Sequence, residues 1–514
     1  MPKVAYVPQP TALNGAYNDR PMSNVYTTNV NESAKSTTRT PQKVRKGKGK
    51  GSSTFSPPTW LTKKVWIIAG IICGVLIIAA IVIPLAIIFG KTTSTAAVTT
   101  TTAAVYLAYW AFENNANDVY GNYSGATTCG SCYYTTSGLY GGSIFYIYST
   151  NSYMSVVSPY FNLNSVSFTF EIWIYPTSVT NDQPIFSQCT CTTCTNQCLF
   201  LIIRSSKLYM GFNFNDLTGS TTLVASSVWY HVAFVYNYQT SQQIIYLDGV
   251  QDAIRSTSTS YLGTNGTMYF GYSLLLPSNY FSGYIDNAQL TTRAKSAAEI
   301  LVDATQVFYY SFDQPNPYYD NGPNRLNATS IQNVASTSGH VGQAVRFTTT
   351  SSSYIQINYW PSLGWPSSKP FTFAMWIYAT SVSGGGLLYT PPNGISLLGL
   401  TNSGQIVAQL QEVSPVNIWQ AVIGGFIPVN TWKHVACTFS VTNGLILYLN
   451  GVSQGSINGI LTYYWTSGLY YIYIGYAGSQ AYIVNGGSFQ GTMDEFYAYR
   501  RELSATEILA LASV

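Results

Sequence analysis

The chain has 514 residues, 46% of them hydrophobic and only 8% charged, with a formal net charge of +4. That small excess hides two oppositely charged parts: 11 basic against two acidic residues before Val65, and 12 basic against 17 acidic residues after Gly90. The division argues against a nucleic-acid partner, because the densest basic run stands just before an apolar segment.

Residues 1–64 are rich in Pro, Ser, Thr, Asn, Lys and Gly and lack clustered apolar residues, so they are expected to be a disordered tail. The run KVRKGKGK at 43–50 suits an anionic inner leaflet, where each basic side chain contributes about 1 kcal/mol. Val65–Gly90 follows, 26 residues without a charge. Crossing a bilayer takes about 20 helical residues, and a helix with no polar face suits lipid better than a protein core. The basic flank on the N-terminal side sets the orientation. A single-pass type II plasma-membrane protein is expected, with the N-terminus cytoplasmic and the C-terminus extracellular. Residues 91–104, KTTSTAAVTTTTAA, read as a Thr/Ala stalk.

From Val105 the chain alternates Tyr, Phe, Ile, Val and Trp with Thr and Ser, broken by Gly, Asn and Pro, which predicts antiparallel strands with tight turns. It does so twice. SVSFTFEIWIYPTSV at 165–179 matches SKPFTFAMWIYATSV at 368–382. WYHVAF at 229–234 matches WKHVAC at 432–437, and IYLDGV at 245–250 matches LYLNGV at 447–452. FSGYID at 281–286 matches FQGTMD at 489–494, and SAAEIL at 296–301 matches SATEIL at 504–509. The repeat predicts two all-β domains, 105–304 and 305–514, each a two-sheet sandwich. Within the first, Phe168, Phe170, Ile172 and Ile174 should share one face, with Glu171, Trp173 and Tyr175 on the other. Asp248-Gly249 and Asn450-Gly451 are two-residue hairpin signals, and S-x-x-E is a helix capping box.

The ordered blocks F-T-F-x-x-W-I-Y, W-x-H-V-A, Y-L-D/N-G, G-x-x-D and S-x-x-E-I resemble the laminin G-like, concanavalin A-like jelly rolls, twice over from Val105 to Val514. The resemblance implies carbohydrate or protein binding at the cell surface. It also implies a place for calcium in some relatives, through loop Asp, Asn and backbone oxygens. Asp118 and Asp320, in equivalent turns, are the candidate ligands, although Asp is also an ordinary residue of tight turns.

Other residues give narrower expectations. Cys129, Cys132, Cys189, Cys191, Cys194 and Cys198 all fall in the first repeat and point to three disulfides of open connectivity, with zinc as the alternative. Cys73 falls in the apolar run, and Cys437 reads as a buried thiol. Asn122, Asn265 and Asn327 begin sequons on the outer side. His231 and His434 are equivalent and lack an evident nucleophile, so they read as structural. Glu171 aligns with Ala374 and Asp494-Glu495 with Asp286-Asn287, so no opposed carboxylate pair for glycoside hydrolysis recurs. No G-x-S-x-G, H-E-x-x-H or Walker motif is present. The chain is therefore read as no enzyme but as a recognition or adhesion protein. Its partners are the lipid bilayer and an extracellular glycan or protein. Self-association into a surface coat is the structural alternative, and an ectoenzyme acting on glycans is the third reading. Many of the 43 tyrosines are ordinary strand residues, yet their rings suit sugar stacking.

Overall fold

The computed structural model describes residues 106–514 apart from 129–131, 136–138, 142–143, 148–150, 226–227, 257–258, 349–351, 361–367, 384, 391–394, 415–416, 465–469 and 479–481. The basic tail, the apolar run Val65–Gly90 and the stalk lie outside the described residues. No described helix is long and apolar enough to cross a membrane. The described residues belong to one compact unit.

The strand Phe168–Pro176 shows how the first sandwich forms. Its Phe168, Phe170, Ile172 and Ile174 are fully buried and meet Ile185, Leu199, Leu201, Met268 and Phe270 of the opposing sheet. Burying one large apolar side chain stabilises by about 1.5–3 kcal/mol, so this alternating row drives the two sheets together. The first sheet runs in the order 250–256, 242–247, 230–237, 168–176, 283–291, 144–147 and 132–135, with Tyr106–Trp110 also pairing with 283–291. The second runs 216–218, 207–211, 198–204, 183–189, 268–270, 153–156 and 126–128.

The second sandwich repeats this plan. Its central strand Phe371–Ala379 lies between Trp432–Ser440 and Gly491–Tyr499, as Phe168–Pro176 lies between Tyr230–Asn237 and Gly283–Thr291. The register is kept as well: Phe170 faces Phe234 and Leu290, and Phe373 faces Cys437 and Ala498.

The opposite face of the central strand is covered too. Glu171 and Trp173 are 1% and 2% exposed. Helix α1 (Ala297–Thr305) lays Ile300 against Ala233, Val235 and Tyr246, while Trp173 and Trp229 join the core cluster that continues into the second sandwich. Both α1 and its counterpart α2 (Ala505–Leu511) begin with a complete capping box, Ser296 with Glu299 and Ser504 with Glu507. Both hairpins turn with two residues in the left-handed region, Asp248 at φ 49° and Gly249 at 82°, and Asn450 at 49° and Gly451 at 76°.

Candidate ligand-binding surface

Asp118 and Asp320 hold turns together from inside. The Asp118 carboxylate accepts the backbone N–H groups of Tyr109 and Tyr120 on Oδ1 and of Asn122 and Tyr123 on Oδ2. Asp320 accepts Tyr309 and Gly322 on Oδ1 and Leu326 on Oδ2. Both residues are less than a tenth exposed. In this structure both carboxylates serve the backbone of their own turns. No group of three or more His, Cys, Asp or Glu among the described residues could hold a metal. Asp286 and Asp494 act in the same manner, accepting the backbone N–H groups of Leu139 and Tyr140 and of His340 and Val341.

Two disulfides are resolved, Cys189–Cys198 and Cys191–Cys194, at the end of the second sheet. Cys132 is disulfide-bonded, and Cys129 lies outside the described residues. Cys437 is a buried free thiol, pushed up to about 12 by burial. Asn122 and Asn327 are exposed and Asn265 is half-buried. Glu171 is buried against Lys295, and Glu495 accepts the hydroxyls of Tyr309 and Tyr497. His231 and His434 are buried, and burial lowers them to about 3 and about 4, so both rings are neutral.

What reaches the surface in both repeats is tyrosine. Along the second sheet of the first sandwich, Met154, Met268 and Phe270 point into the core, so Tyr153 and Tyr269 point out. Tyr153 stacks on Tyr272 at 5.2 Å and Tyr272 on Tyr280 at 5.3 Å, with Tyr269 edge-on to both Tyr153 and Tyr272. The second sandwich places Tyr354, Tyr473 and Tyr476 at the equivalent positions and adds Tyr389 and Tyr471. Tyr354 lies 4.6 Å from Tyr473, which is edge-on to Tyr476 at 5.7 Å. All nine of these tyrosines are half-buried, and each cluster is an aromatic floor edged with hydroxyls. Burial and then the neighbouring phenols raise the Tyr272 and Tyr473 hydroxyls, which keeps them neutral donors. Such a floor can stack on the apolar face of a sugar ring while its hydroxyls bond the ring's edge. Composition alone could not single these residues out. Aligning the repeats does, because Tyr153/Tyr354, Tyr269/Tyr473 and Tyr272/Tyr476 coincide.

A cleft of about 320 Å³ lies where the repeats meet, lined by Tyr109, Tyr140, Asn287, Arg325, Asn327 and Asn358 among others. The Arg325 guanidinium sits 4.7 Å over the Tyr109 ring and 5.1 Å over Tyr120.

Two tandem jelly rolls with an aromatic patch on each second sheet define a lectin-like binding architecture. The chain belongs to the laminin G-like family described as the concanavalin A-like lectin/glucanases superfamily, matched over residues 149–301 and 349–509. Among solved structures, domain 4 of an extracellular arabinanase from Geobacillus stearothermophilus, in complex with arabinotriose, is 17% identical, with a TM-score of 0.32 over 38% of this chain and 96% of that one. Domains LG4-5 of the mouse laminin alpha1 chain are 12% identical, with a TM-score of 0.25 over 72% and 93%. The Ruminococcus gnavus IT-sialidase CBM40 bound to alpha2,3 sialyllactose is 15% identical, with a TM-score of 0.26 over 31% and 94%. No curated protein matches the chain in sequence.

Proposed function

We propose that this chain is a single-pass type II plasma-membrane protein that presents two jelly rolls outside the cell to bind a glycan or a glycan-bearing protein. The observation that carries the reading is the tyrosine cluster repeated at equivalent positions of both second sheets. Membership of a lectin-type family supports it. The uncharged run Val65–Gly90 behind a basic tail supports the topology.

Cells displaying the full chain with a tag at each end test the reading. An antibody should reach the C-terminal tag on intact cells and the N-terminal tag only after permeabilisation, and the cells should capture a fluorescent glycan polymer with or without chelator. The reverse accessibility would remove the topology, and absence of capture across a broad glycan panel would remove the ligand class.

A second reading, self-association, is favoured by the edge strand Ile418–Phe426, nine residues without a charge, whose Ile418, Ile423 and Phe426 are 46%, 46% and 67% exposed. Such an edge is a pairing site for another chain. Sedimentation of the full chain should then show dimers that an Ile423→Lys substitution disperses.

A further inference from the structure

The outer face of the first sheet hides a set of reactive groups that ligand binding does not use. Glu171 stands mid-strand on that face, Lys295 immediately precedes the N-cap of α1, and Asp303 lies in the helix's last turn. Their side chains are 1%, 1% and 11% exposed. The Lys295 Nζ contacts Glu171 Oε2 and lies 2.6 Å from Asp303 Oδ2. Gln289 Nε2 donates to the same Glu171 oxygen at 3.0 Å. Thr169 fixes the approach, since its hydroxyl donates to the Arg293 carbonyl and accepts the Lys295 backbone N–H.

The fold does not need these groups. In the second sandwich the equivalent positions are Ala374, Leu503 and Leu511, which pack with Ala436, Tyr448 and Ile508 as an apolar cluster. A buried ionic trio has replaced, or been replaced by, an apolar one at the same place, and removing charges from water is costly.

We propose that Lys295 and Glu171 condense into an intramolecular isopeptide bond. In a water-free site, proton transfer from the ammonium to a carboxylate gives a neutral amine and a neutral acid, which burial favours over separated charges. Burial, the largest effect on Glu171, raises its carboxyl well above the usual range, so the acid form is present. The Nζ lone pair then attacks Cδ of Glu171, and the Gln289 N–H stabilises the charge that develops on Oε2. Asp303 takes the proton from the new C–N centre and returns it to the departing hydroxyl. One C–N bond forms, one C–O bond breaks and one water leaves; nothing is oxidised or reduced, and Asp303 ends as it began. The product joins the central strand to the entry of α1, 124 residues further along the chain. Like a disulfide, it would restrict the unfolded chain, but reductant could not open it.

Peptide mass mapping of the full chain, reduced, alkylated and deglycosylated before digestion, tests this directly. The expected result is a branched peptide joining the Glu171 and Lys295 fragments, lighter than their sum by one water. Asp303→Asn should leave most of the two fragments separate. The triple variant Glu171→Ala, Lys295→Leu, Asp303→Leu, which installs the second repeat's side chains, should fold with an unchanged circular dichroism spectrum and yield no branched peptide. Recovery of both wild-type fragments unlinked would overturn the proposal, and so would a link from Lys295 to Asp303 in place of Glu171. Both readings are independent of whether any glycan binds.

Discussion

Single carboxylates and imidazoles do most of the local work in this molecule. Asp118 gathers four backbone donors into one turn, so Asp118→Ala should cost about 1.5–3 kcal/mol, the range for hydrogen bonds to a charged group. Chelator should leave the wild-type melting temperature where it is; a calcium-dependent rise would contradict the assignment of these oxygens to the backbone. His434 gives a pH dependence with a definite sign. It titrates near 6.5 when unfolded and is held down to about 4 by burial, so the unfolded chain binds the extra proton between those values. Above pH 6.5 the residue has no effect on stability, and as pH falls to 4 it destabilises the fold by about 3 kcal/mol. A His434→Phe variant should therefore lose less stability than the wild type between pH 6.5 and pH 4 in denaturant titrations. Parallel curves would show that the ring is charged in the fold.

At the level of elements, the hairpins, capping boxes and central strands were legible because each is written locally. Asp248-Gly249 and Asn450-Gly451 need left-handed backbone wherever the rest of the chain goes. A Cβ on Gly249 or Gly451 would also come within 3.0 Å of the Leu301 or Leu509 Cα, so the following helix sits directly on the turn. Gly451→Ala should accordingly cost about 1–2 kcal/mol from the positive φ alone, and more from the contact, as read from chemical denaturation. Disulfide pairing was not legible, since four cysteines within ten residues are compatible with several pairings, and only the strand register that sets Cys189 opposite Cys198 selects one. The tyrosine clusters and the Glu171–Lys295–Asp303 trio were hidden for a similar reason. Their members come from strands and helix ends more than a hundred residues apart, and only the sheet order brings them together.

Over the whole molecule, the repeat predicted two sandwiches but not how the first is closed by the second. Leu139, Tyr140, Trp173 and Trp229 of the first repeat belong to the second repeat's core cluster. The Arg500 guanidinium lies 4.5 Å over the Trp173 ring, and its backbone N–H donates to Thr305. In the second repeat the matching Trp376 is covered by the exposed His340, stacked at 3.6 Å. The same surface thus serves as an internal joint once and as an outer surface once, a difference that alternating sequence patterns do not encode. Calorimetry of the full chain should show the two sandwiches melting in one transition, and Arg500→Ala combined with Trp173→Ala should split it in two. Two transitions already in the wild type would mean that the joint carries little energy.

The recognition reading rests on the paired tyrosine floors, and glycan-array binding of the full chain beside a Tyr269→Ala, Tyr473→Ala variant tests it most directly. Both substitutions remove half-buried outward-facing rings and leave the core rows intact. Saturable wild-type binding to a defined glycan class is expected, weakening at least about tenfold in the variant, the equivalent of about 1.4 kcal/mol of lost stacking. Wild-type and variant chains binding the array alike, or a folded wild type that binds nothing, would contradict it.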